Sequence, residues 1–134
     1  MSNIEQKADR PLSPHLQIYK PIFTMVMSIV HRLTGVGLYF GAFLLAWWLV
    51  AASSGAEYFN MVNGFFASIV GRILLFGFTW ALLHHMMGGI RHFIWDTGRG
   101  FEKGPRKMLA RLSLVMSILL TFIVFAIGYW VKGA

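Results

Sequence analysis

Three histidines, an arginine and an aspartate interrupt HHMMGGIRHFIWD (84–96), a stretch otherwise apolar enough for lipid. Ionisable side chains inside a bilayer are costly, and they persist mainly where the protein uses them. A neutral imidazole in an apolar slot can ligate a metal or haem iron, or relay a proton, and a nearby guanidinium can hold an anion. A second polar set lies in SIVHRLTG (28–35), where Ser28, His31 and Arg32 fall at i, i+3 and i+4 on one helical face. His84 and His85 point about 100° apart on a helix, so at most one of them faces a given partner. His92 returns to nearly the face of His85 but about 10 Å along it, too far to share one metal ion.

Composition dictates the elements that must position these groups. The 134 residues are 57% hydrophobic and 13% charged, with a mean hydropathy of +0.62. A soluble globule of this composition would expose much of its apolar surface. The expected fold is all-α: an integral membrane bundle of three transmembrane helices, forming a single membrane-anchor domain over 1–134. Residues 1–32 would supply a cytoplasmic N-terminal segment and the start of the first helix, and the spans would run over about 33–52, 73–90 and 112–131. Twenty residues at about 1.5 Å each cross a hydrocarbon core of about 30 Å. SSGAEYFN (53–60) reads as an exposed turn, and DTGRGFEKGPRK (96–107) as a loop rich in glycine, proline and charge. The chain is too short for a separate soluble catalytic domain, so hard chemistry must come from a cofactor or a partner. The absence of cysteine excludes disulfides, thiolate zinc sites and iron–sulfur clusters ligated by this chain.

Charge sets the orientation. Lys7, Arg10, Lys20 and Arg32 precede or open the first span, and Arg91, Arg99, Lys103, Arg106, Lys107 and Arg111 lie between the second and third. Only Arg72 and Lys132 remain for the opposite side. Cytoplasmic flanks collect Lys and Arg, which places the N-terminus and the 91–111 connection inside and the C-terminus in the periplasm. Trp47, Trp48, Tyr129 and Trp130 then gather near the outer interface. The net charge of +7 suits anionic lipid headgroups rather than nucleic acid. Residues 1–20 resemble neither a secretory signal nor an organellar presequence, so a multi-pass protein of a bacterial inner membrane is expected. His85 would sit about 10 Å inside the boundary marked by Arg91 and His92, in the same leaflet as Ser28, His31 and Arg32. The two sets suggest one site shared between helices.

Each polar residue also has a plainer reading. Arg32, Arg72 and Arg91 could reach headgroups from helix ends, and a buried histidine often only hydrogen-bonds a neighbouring helix. The eight methionines suit packing and lipid contact, and Gly37 with Gly41 suits close helix approach. Gly88 and Gly89 fit either packing or room for a flat macrocycle. Asp96 could pair locally with His92 or Arg99, or deliver protons. Haem ligation by one deep histidine would require the second axial ligand from another polypeptide. A proton pathway would require carboxylates within the spans, which hold none. An anchor whose polar groups merely hold a soluble partner is compatible with composition.

The segments HMMGGIRHFIWDTG (85–98), RPLSPHLQIYKP (10–21) and SIVHRLTG (28–35) resemble, in order, the second-helix, N-terminal and first-helix motifs of the cytochrome b subunit of succinate dehydrogenase. The resemblance covers almost the whole chain. It implies that His85 is an axial ligand to haem b, with the opposite ligand from the sister hydrophobic subunit. It further implies that His31 and Arg32 lie near the haem propionates, and that Ser28 and Arg32 line a ubiquinone pocket. The flavoprotein subunit with its FAD and the iron–sulfur subunit would dock on the inside face. Electrons from succinate would thus reach ubiquinone, linking the tricarboxylic acid cycle to the respiratory chain. The chain alone would not be an enzyme but a subunit of one, succinate:quinone oxidoreductase. A fumarate reductase anchor working with menaquinone would share this architecture.

Overall fold

The computed structural model describes Ser13, His15 and residues 18–133. Lys7, Arg10 and most of the 10–17 part of the N-terminal motif, along with Ala134, lie outside the described residues. Four helices follow one another: α1 (Phe23–Ser53), α2 (Ala56–Ala67), α3 (Ile69–Asp96) and α4 (Lys103–Gly133). Three of them, of 31, 28 and 31 residues, are long and apolar enough to cross a membrane. The all-α expectation of three spanning helices is met. Each helix outruns the apolar core expected for it, because backbone groups near lipid are best satisfied within the helix and the ladder continues into the polar flanks.

The turn expected over 53–60 is shorter than that, and a helix replaces most of it. Only Ser54 and Gly55 separate α1 from α2, Gly55 at φ 109°, in the region glycine enters freely. Small and polar residues disguise α2, but Tyr58, Val62 and Phe66 recur at i, i+4 and i+8. Val62 and Phe66 pack with Ala51, Trp47 and Trp48 of α1, and Trp47 Nε1 donates to the Tyr58 hydroxyl at 2.9 Å. Glu57 in the first turn complements the helix dipole. A single residue, Ser68, closes α2 and caps α3, its hydroxyl accepting from Gly71 N at 3.1 Å. Gly71 tolerates no Cβ, because the backbone at Phe65 and Phe66 lies against it.

The 96–107 loop is likewise shorter, since α4 begins at Lys103. Pro105 fits the first turn, where a missing N–H costs nothing. Gly98 and Gly100 adopt positive φ in the remaining turn, and Trp95 Nε1 donates to the Gly100 carbonyl at 3.2 Å.

The central helix is α3, which contacts the other three. It meets α4 along Ala110, Ser113, Ser117 and Thr121, all buried. These hydroxyls return to carbonyls of their own helix: Ser113 to Leu109, Ser117 to Leu114 and Thr121 to Ser117. Small residues let two helices approach closely where lipid removes any hydrophobic drive between them. Large side chains such as Phe40, Phe43, Ile73, Phe122 and Trp130 instead face outward.

Candidate functional site

The α1 and α3 helices cross where glycine leaves room. A Cβ at Gly88 would overlap the His31 ring, and one at Gly35 would stand 3.0 Å from His85 Cε1. Into this space the two imidazoles stack, with ring centroids 4.0 Å apart and planes 11° from parallel. Two reciprocal hydrogen bonds hold them. His85 Nδ1 donates to the His31 carbonyl at 3.1 Å, and His31 Nε2 donates to the His85 carbonyl at 3.2 Å. A carbonyl can only accept, so those two nitrogens carry the protons, and in the neutral rings His85 Nε2 and His31 Nδ1 keep their lone pairs. Both rings are half-buried. His92, exposed, lies 5.5 Å from His31 between ring centroids, so His31 bridges the gap along α3 that separates His92 from His85.

The neighbours at 84 and 85 diverge as their angular separation requires. His84 is 1% exposed and turns to α4, where Nδ1 donates to Ser117 Oγ at 3.2 Å. It stacks on Trp80 at 5.3 Å. His84 therefore ties α3 to α4 inside this chain, while His85 faces α1.

Ser28, His31 and Arg32 share a stretch of α1 but not one direction. His31 turns into α3, whereas Ser28 and Arg32 are exposed. Arg32 Nε donates at 3.4 Å to the Ser28 carbonyl of its own helix. Among the described residues, no cluster of three His, Asp or Glu is placed to hold a metal ion.

Sequence reasoning missed Arg91 as a buried group, reading it as a boundary marker. It is 4% exposed, its Nε lacks a hydrogen-bond partner, and its guanidinium carbon lies 5.1 Å from the centre of the Trp95 ring. The signal was present: Arg91 follows His84 by seven residues and Gly88 by three, and all three are buried on α3.

Fold and site together define a three-span integral membrane protein with a locked pair of intramembrane imidazoles on adjacent helices. The chain belongs to the succinate dehydrogenase/fumarate reductase transmembrane subunit family, whose pattern matches residues 6–125. It is similar to the succinate dehydrogenase cytochrome b556 subunit of Rickettsia typhi, at 37% identity over 93% of this chain and 99% of that protein. The cytochrome b556 subunit of Paracoccus denitrificans is 40% identical over 89% of this chain and 94% of its own. The mitochondrial cytochrome b560 subunit of Sus scrofa is 33% identical over 84% and 68%. These relatives carry the succinate dehydrogenase name, which favours that enzyme over fumarate reductase. The chain is a multi-pass inner-membrane protein.

Proposed function

We propose that this chain is the cytochrome b membrane anchor of a succinate dehydrogenase, in which His85 Nε2 is one axial ligand to haem b. The observation that carries this reading is the bond from His85 Nδ1 to the His31 carbonyl. A metal-binding histidine commonly donates its other ring N–H to such an acceptor, which fixes the tautomer and raises the basicity of the ligating nitrogen. His31 does not supply the opposite ligand, since it stacks parallel on the His85 ring and its Nε2 is bonded to the His85 carbonyl. The sister hydrophobic subunit then provides the second ligand. Gly35 and Gly88 leave the room that the His85 and His31 rings fill, and Arg91 Nε, buried and unpartnered, suits a carboxylate such as a haem propionate. His31 and Arg32 stand near enough in sequence and depth to assist there.

When bound, the haem would exchange single electrons with the redox centres of the partner subunits. Arg32 and Ser28, exposed one turn apart, would line a ubiquinone pocket completed by partners. A guanidinium and a hydroxyl directed at a quinone oxygen would stabilise negative charge developing there as ubiquinone takes two electrons and two protons to become ubiquinol. The iron–sulfur subunit and the FAD-bearing flavoprotein would dock at this end of the bundle, on the cytoplasmic side.

The deciding experiment is a reduced-minus-oxidised spectrum of the complete complex. His85→Ala is expected to abolish or grossly shift the haem b bands. His84→Ala should retain them while lowering the yield of assembled complex, since it removes a buried bond between α3 and α4. Haem lost from the second variant and kept in the first would assign the ligand to His84.

A further inference from the structure

At the end of the bundle away from the histidines, a groove of about 390 Å³ opens between the C-terminal part of α2, the first half of α3 and the last turns of α4. Arg72, the fourth residue of α3, and Lys132, in the last turn of α4, both line it. They are the two basic residues that the sequence places on this side, and the antiparallel course of α3 and α4 brings them to one recess. No acidic residue lines that recess. Asn63 and Tyr129 add polar groups at the rim, while Leu75, Val124 and Phe125 form an apolar wall. An almost wholly apolar cavity of about 290 Å³, between α1, α2 and α3, shares Asn63, Phe66 and Leu75 with the groove.

The medium around a spanning helix determines what can enter. Arg72 lies 13 residues before His85 on α3, about 20 Å along the helix, near the opposite membrane interface. Phospholipid phosphates sit at that depth. A lone arginine there would reach headgroups without selecting among them. Two cations lining one recess with an apolar wall instead match a phosphodiester with an acyl chain below it. We propose that this groove is a binding site for one anionic phospholipid: Arg72 and Lys132 hold the phosphate, and an acyl chain runs over Leu75 and Phe125 toward the adjoining apolar cavity. The site depends on the chain spanning a membrane and not on the haem assignment.

The test uses the complete complex, purified in detergent and exposed to phosphatidylglycerol or phosphatidylcholine, with bound lipid counted by native mass spectrometry. The wild-type complex should retain phosphatidylglycerol in preference to phosphatidylcholine. Arg72→Gln combined with Lys132→Gln should weaken that retention about twenty-five-fold, taking roughly fivefold for each basic residue. Arg99→Gln, in the turn at the other end, should leave it unchanged. Gly128→Leu provides an independent arm. Gly128 lines the groove, and a Cβ there meets nothing within 4 Å, so the leucine should fill the recess and expel the lipid without disturbing assembly. If the double-glutamine variant fails to assemble, this variant and the lipid preference of the wild type still decide. Equal retention of the two lipids, or retention unchanged in Gly128→Leu, would overturn the site. Displacement of phosphatidylglycerol by inorganic phosphate alone would make it a phosphate site instead. A photo-crosslinker at position 128 that captures a polypeptide rather than lipid would assign the groove to a partner subunit.

Discussion

Arg32 poses the sharpest question at the scale of single residues, because its exposed position suits both a quinone pocket and simple contact with headgroups. If it stabilises charge on a quinone oxygen, Arg32→Leu should lower succinate–quinone turnover roughly tenfold to a hundredfold, the span expected for losing one charged hydrogen bond. Dye reduction upstream of the quinone should persist. A headgroup contact predicts a proportional loss of both activities, since less complex would assemble. Arg32→Lys is the companion test: lysine keeps the charge but lacks the planar fork. It should recover assembly fully and quinone turnover only in part. At this scale the sequence supplied residue types and helical angles. That His84 and His85 must diverge followed from their 100° separation, but which of them meets α1 depends on how α3 is rotated in the bundle, which Ser117 and Gly35 decide from other helices.

Among the elements, the α1–α3 crossing is set by absent side chains. At Gly88 a methyl group would collide with the His31 ring, and moving that ring breaks the bond to the His85 carbonyl. Gly88→Ala is therefore expected to cost about 1–3 kcal/mol, the usual range for overpacking, and to shorten the thermal half-life of the haem bands. Gly89→Ala, whose Cβ meets nothing within 4 Å, should leave that half-life nearly unchanged. Equal behaviour of the two would remove the crossing from the site's support. The three long helices were legible because their apolar runs match a bilayer. α2 was not, since Glu57, Asn60, Asn63 and Gly64 break up its apolar run. Nor was the α3–α4 seam: hydropathy assigns Ser113, Ser117 and Thr121 no special place, yet they are buried while Phe122 beside them faces outward.

For the whole molecule, the described basic residues are concentrated at the end that holds the N-terminal part of α1, the C-terminal part of α3 and the start of α4. This distribution predicts sidedness. A reporter fused after Ala134 should register in the periplasm, and one inserted near Gly104 in the cytoplasm. The reverse pattern would move the imidazole pair to the outer leaflet and separate it from partners docking inside. Charge counting gives the sequence an expected orientation, which these reporters test. The recess formed by Arg72 and Lys132 was not, because the two residues lie 60 positions apart and only the antiparallel return of α4 unites them.

The short turn at 97–102 also bears on how the chain enters the membrane during synthesis. It would let α3 and α4 enter the membrane as a hairpin in which the His84 ring is concealed against Ser117. That imidazole need never meet acyl chains as a bare polar group, where it would be costly. His85 is sheltered differently, by a helix made earlier. Because α1 precedes α3 in synthesis, the carbonyl of His31 would be in the bilayer before His85 arrives. Biogenesis can thus proceed from the first helix to the last without leaving either of these adjacent imidazoles to find its shelter in a subunit not yet made.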